Sequence, residues 1–155
     1  MDFNKKILTT SIIAGFAMIL IQMISEAIIP NGAGFWSPLI YTSSTLITSS
    51  LDLSFAFAPV LLGLAILMFN SIVIGVVYEI LIEKIKSTNV QILTSIIFVL
   101  CLTSLMWFVI LPAINPVMLY LNGYVFFISH IIWVGILFSL LQRPPKSNFI
   151  NINKL

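Results

Sequence analysis

Four runs of about 20 or more nearly unbroken apolar residues constrain this chain more than any other feature. A helix of about 20 mostly apolar residues crosses the hydrocarbon of a bilayer. Backbone in lipid must satisfy its own hydrogen bonds, which a helix does within one segment. The runs lie at about 7–29, 55–82, 90–111 and 117–141. The first, ILTTSIIAGFAMILIQMISEAII, stops at Pro30-Asn31-Gly32, a cluster of breakers. The second has Pro59 near its start, where proline is tolerated. Its 28 residues exceed a straight crossing, an excess that tilt absorbs. The third ends at Pro112, and the fourth, beginning at about Val117 or Tyr120, ends before Gln142-Arg143-Pro144-Pro145. The reading is an all-α, four-helix transmembrane bundle, one membrane domain over 1–155, with an outer loop at 30–54 and a tail at 142–155. The first run follows Lys5-Lys6, as in a signal peptide. It outlasts the roughly 7–15-residue apolar core of such peptides, so it reads as an uncleaved helix.

Charge orients these spans. Lys5 and Lys6 precede the first, Lys84 and Lys86 separate the second and third, and Arg143, Lys146 and Lys154 follow the fourth. These are all seven Lys and Arg residues, and in a four-pass arrangement all fall on one side. The 30–54 loop and the 112–119 turn carry none. The positive-inside rule then places both termini, and the 142–155 tail, in the cytoplasm of a multi-pass protein of the cell membrane. Trp36, Tyr41, Trp107, Tyr120 and Tyr124 fall near the outer boundary, as an aromatic belt would. Only 8% of residues are charged, against roughly 25% in soluble domains, and mean hydropathy is +1.15. A soluble domain, a disordered tail and a nucleic-acid binder are excluded; the +2 net charge forms no basic face. The lone Cys101 excludes a disulfide framework.

In the outer loop, Leu39-Ile40, Leu46-Ile47, Leu51 and Leu53 recur at about seven-residue spacing. That pattern suits a helix at the interface, apolar side down. An irregular cap packed over the bundle is the alternative. Between spans, association depends on close packing of small residues and on hydrogen bonds, because lipid is as apolar as leucine. The small or polar stripes are Ser11, Gly15, Met18, Gln22 and Ser25/Glu26 on span one, and Ala56, Pro59, Gly63 and Asn70 on span two. Span three offers Thr94, Cys101 and Ser104. Span four offers Gly123 and His130 on one face, and Gly135 and Ser139 on another that could seat a second chain.

An ionisable residue inside a membrane is a functional candidate by default. Glu79 is close enough to Lys84 and Lys86 to pair or to reach the interface. At about 1.5 Å per residue, Gln22 and Glu26 lie roughly 24 and 30 Å from Lys6, His130 about 20 Å from Arg143, and Asn70 about 21 Å from Lys84. Gln22, Asn70, Ser104 and His130 therefore form one candidate polar layer in the outer half, with Glu26 a turn further out, where a solvated cap competes with a proton carrier. The layer reads either as a chamber in which His130 relays protons, binds a ligand or joins a metal, or as a hydrogen-bond network fixing helix register. No metal site or cofactor is expected, since metal sites need three or four good ligands and the chain has one His and one Cys. Haem ligation by His and one of six Met residues stays open. There is no Cys-x-x-Cys, nucleophile elbow or phosphate-binding glycine loop, so no catalytic residues are assigned and no enzymatic activity is expected.

Phe69-Asn70-Ser71-Ile72-Val73-Ile74-Gly75 can be laid over Ser129-His130-Ile131-Ile132-Trp133-Val134-Gly135, a weak parallel repeat. Together with Ala14-Gly15-Phe16-Ala17 and Leu111-Pro112, these segments resemble an uncharacterised family of small four-helix integral membrane proteins carrying a domain of unknown function. The resemblance implies a histidine at the position of Asn70, and hence the loss here of half of a His pair. It brings no activity. Two functions are expected: an accessory or scaffold subunit beside larger membrane subunits, for example of a membrane-bound oxidase or monooxygenase, or a small homo-oligomeric transporter or channel using the layer around His130. The partners are then the lipid bilayer and other membrane subunits or further copies of the chain, with no nucleic acid.

Overall fold

The computed structural model describes residues 3–47 and 55–141, so Leu51, Leu53, Asp52 and the 142–155 tail, with Arg143, Lys146 and Lys154, lie outside the described residues. The order is α1 (Phe3–Ile28), α2 (Ser37–Ser43), α3 (Phe57–Glu83), α4 (Thr88–Leu105), a π turn (Met106–Ile110), α5 (Leu111–Ile114), a 3₁₀ turn (Pro116–Tyr120) and α6 (Gly123–Leu141). α4, the π turn and α5 form one rod, so four helices are long and apolar enough to cross a membrane. The bundle is all-helical and four-membered, as the four apolar runs predict. The cationic end carries Lys6 and the link from α3 to α4. The capped end carries α2 and the 3₁₀ turn.

α1 is the centre, with half of its span buried against 17% for α3 and for α4–α5. Its buried positions, Ile7, Ser11, Ala14, Met18, Ile19, Gln22, Met23 and Glu26, follow the three-and-four spacing of one wide helical face. α1 packs on α3 and α6, α6 packs on α4, and α3 and α4 make only a small contact. Between α1 and α3 small residues pair reciprocally. Gly15 stands against Ser71, and Gly75 against Ser11. Each helix contributes a serine and a glycine four apart, a spacing that places them on one face. Ser71 Oγ donates to the Ser11 carbonyl at 2.7 Å, and the Trp133 indole donates to Ser71 Oγ at 2.8 Å, so α6, α3 and α1 are tied at one level.

The first-loop helix combines the two sequence alternatives. α2 is a helix, yet every residue from Ser37 to Ser43 is buried, so it is packed over the bundle. Its hydroxyls need no water, because Thr42 donates to the Pro38 carbonyl at 2.7 Å and Ser43 to Ile40 at 2.7 Å. The backbone of α2 at Leu39 lies directly against Gly63 of α3. The chain turns out of α1 through Asn31 (φ 63°) and Gly34 (φ 100°), the left-handed conformation that glycine adopts without strain.

Two boundaries differ from expectation. Pro112 does not end the third span, which continues to Ile114. Proline lacks an N–H and crowds the carbonyl four residues back. The π turn relieves this by widening the helix just before it: the Leu111 N–H bonds Met106 O, five residues back. α6 begins at Gly123, because residues 116–120 form the 3₁₀ turn and Leu121 is extended. The stripes also shift. On α4 the buried residues are Ser95, Val99 and Thr103, while Cys101 is exposed. On α6 they include Ser129, Trp133 and Leu137.

Gly63→Ala would drive a methyl into α2 backbone, which cannot swing aside as a side chain can. A loss of about 1–3 kcal/mol is expected for such overpacking, read as a fall in thermal unfolding midpoint in mild detergent. Gly135→Ala meets open space and should be neutral or stabilising by up to about 1 kcal/mol through helix propensity.

Candidate functional site: a chamber between α3 and α4–α5

α3 and α4 converge at the cationic end, where the Tyr78 hydroxyl and Ser95 Oγ share a hydrogen bond of 2.8 Å and the rings of Tyr78 and Phe98 stand 5.3 Å apart. Toward the capped end they separate, and a cavity of about 350 Å³ fills the gap. Ile66, Asn70 and Ser71 line it from α3; Met106, Ile110 and Leu111 from the third rod; Gln22 from α1; and His130 and Trp133 from α6. Thr42, Asn115 and Met118 form its roof.

Three of the five candidate residues, Gln22, Asn70 and His130, meet at this chamber. Ser104 is half-buried on α4 and does not line it. Glu26 lies outside it and is 2% exposed, so it is not a solvated group. Its carboxylate accepts the Ala33 N–H at 3.0 Å and the Asn122 N–H at 2.6 Å, fastening the turn after α1 and the start of α6 to the end of α1. The Asn122 side chain in turn caps α6, accepting from the Tyr124 N–H at 3.0 Å. Burial, then the negative charge of Glu26 and the neighbouring Tyr120, raise the pKa of the Tyr41 phenol beside this knot.

The hydrogen bonds determine which polar atoms remain available. Ser129 donates its proton to the Phe126 carbonyl at 2.9 Å, so toward Gln22 it can only accept. Gln22 Nε2 donates to it at 2.9 Å. Gln22 Oε1 is thereby turned elsewhere and has no partner among the described residues. His130 Nδ1 lies 2.7 Å from the Phe126 carbonyl, which only accepts, so the ring carries its proton on Nδ1 and presents Nε2 as an acceptor. The imidazole is held over the Phe126 ring at 4.2 Å between centroids. Among the described residues, no three His, Cys, Asp or Glu side chains stand close enough to share a metal ion.

Sequence reasoning missed Asn115, Ser71, Ser129 and Trp133. Asn115 was hidden in an apparent turn; only the Asn-Pro pair marked it. Its amide donates to the Tyr41 carbonyl at 2.8 Å and to Thr45 at 2.7 Å, locking the end of α2 to the end of the third rod. Ser71 adjoined the noticed Asn70, and Trp133 lay in an apolar run without distinguishing signal. Comparison with protein-family models, with curated proteins and with solved structures finds no match, so the functional reading rests on this geometry.

Glu26→Ala strips two part-buried N–H groups of their acceptor, each costing up to about 1–3 kcal/mol. A total loss near 3 kcal/mol is expected in detergent unfolding, with Glu26→Gln losing distinctly less because it keeps one acceptor oxygen.

Proposed function

We propose that this protein is an accessory membrane subunit that packs sideways against another membrane subunit through α6. One observation carries the reading. A serine and a glycine four apart form the contact wherever α1 and α3 approach closely, as Ser11 and Gly15 do against Ser71 and Gly75. Gly135 and Ser139 on α6 repeat that pair, yet nothing stands within 4 Å of a Cβ built at Gly135, and Ser139 is exposed. Small residues at this spacing let helix backbones approach in lipid. Ser139 meanwhile bonds the Gly135 carbonyl at 2.8 Å, leaving the face without an unsatisfied hydroxyl. The location that goes with this function is the cell membrane, with both termini cytoplasmic, supported by the cations at one side of the four spans. The whole chain then acts as one membrane unit, with the bilayer and a larger membrane subunit as its surroundings.

Extraction from native membranes in mild detergent should yield the chain bound to a second membrane protein. Gly135→Leu should weaken that association at least tenfold while leaving the unfolding midpoint of the chain unchanged. Recovery of the wild-type chain as a monomer or homo-oligomer alone overturns the reading.

A small homo-oligomeric transporter or channel is the second reading, favoured by the convergence of Gln22, Asn70 and His130 on one chamber. On that reading His130→Phe lowers solute or proton flux into proteoliposomes severalfold. Unchanged flux removes it.

A further inference from the structure

We infer that the chamber between α3 and α4–α5 is a binding site for a neutral, hydroxyl-bearing lipophile that enters from the bilayer. This inference is independent of the α6 face. The first support is access. Ile66 and Ile74 of α3 and Met106, Ile110 and Ile114 of the third rod line the chamber and none of them is buried, so the cavity reaches the surface between α3 and the third rod. These five side chains are apolar, and an opening between two membrane-spanning helices faces acyl chains, so what reaches it travels in lipid; the exposed Thr45 lines the chamber at the roof.

Charge is the second. Among the described residues, no Lys, Arg, Asp or Glu lines the chamber. A carboxylate, ammonium or phosphate head would sit there unpaired at a cost of several kcal/mol, so the occupant is neutral. Its size is set by about 350 Å³, at the lower end of small-molecule sites.

Hydrogen bonding is the third. His130, which lines the chamber, presents Nε2 as an acceptor, because Nδ1 is committed to the Phe126 carbonyl. Asn70, across on α3, has an amide that can both donate and accept. A hydroxyl is the neutral group that donates to His130 Nε2 and also accepts from Asn70. The apolar remainder of the ligand lies along Ile66, Ile110 and Ile114 toward the entrance.

Two sources carry this chemistry: a bilayer lipid with a free hydroxyl, and a lipophilic phenol or alcohol dissolved in the membrane. The test uses the full chain in lipid vesicles free of any other protein, with Trp36→Phe and Trp107→Phe so that the remaining tryptophan fluorescence is that of Trp133 at the chamber wall. The probes are 4-octylphenol, its methyl ether 4-octylanisole, 4-octylbenzoate and 1,2-dioctanoylglycerol. 4-Octylphenol should change the Trp133 emission saturably and bind at least tenfold tighter than the ether, while the benzoate gives no saturable change. His130→Phe, which keeps a ring over Phe126, should bring the phenol close to the ether, and Asn70→Phe should abolish saturation by filling the space. Saturable competition by dioctanoylglycerol identifies a lipid as the occupant; phenol binding without that competition identifies a free lipophile. Equal titration by phenol and ether in the wild-type chain, or an unsaturable change in every variant, overturns the inference, and the wild-type comparison decides it even if a variant fails to fold.

Discussion

The α1–α3 crossing sets the rest of the bundle. In lipid, burying leucine against leucine gains little over leaving it against acyl chains, so helices hold together through close contact and through hydrogen bonds. Here the contact is reciprocal and antiparallel: Ser11 faces Gly75 and Gly15 faces Ser71. Because both residues of each pair are small, the Ser71 hydroxyl reaches the α1 backbone, and the Trp133 indole then finds its partner on the same oxygen. A larger residue at any of these four positions separates the backbones and breaks both bonds. The largest fully buried side chain, Trp133, is thus placed by the smallest residues of the neighbouring helices.

The capped end is held differently. There the elements are short, and individual polar side chains do the fastening. Glu26 accepts two backbone N–H groups from separate loops, and Asn115 joins the end of α2 to the end of the third rod. The two groups hold a roof over the cavity between α3 and the third rod. The π turn belongs to the same construction. It carries the rod past Pro112, so Ile110, Leu111 and Ile114 reach the chamber. π turns recur at functional sites, and this one shapes a chamber wall.

The spans were legible because the bilayer imposes a length, and a length shows in composition. Three members of the polar layer, Gln22, Asn70 and His130, were legible for a similar reason: rise per residue puts them at one depth whatever the packing. Rotation about each helix axis was not legible. On α4, Thr94, Cys101 and Ser104 looked like an inward stripe, yet Ser95, Val99 and Thr103 face in. In a span apolar all round, a polar residue that bonds its own preceding turn, as Thr103 does to Val99 at 2.6 Å, can face either way at little cost. Glu26 was misjudged for a different reason. An acidic group near the end of a span gives no sign from sequence that two loop N–H groups will fold over it. Pro112 ended the span only on the premise that the helix stays regular.

The same reasoning separates the two functional surfaces. The Gly135 face of α6 is turned away from the helices that α6 packs on, whereas the chamber opens between α3 and the third rod, a pair in small contact. A partner helix seated on Gly135 therefore need not cover the entrance at Ile114. The chemistry of the two surfaces differs as well. The α6 face has satisfied its own hydroxyl and offers only shape, which suits a helix backbone. The chamber lining offers an acceptor at His130 Nε2, for which a helix backbone satisfied by its own hydrogen bonds has no donor. On the two proposals, a protein partner and a small lipophile would answer different deficits in this molecule, and occupancy of one surface would leave the other available.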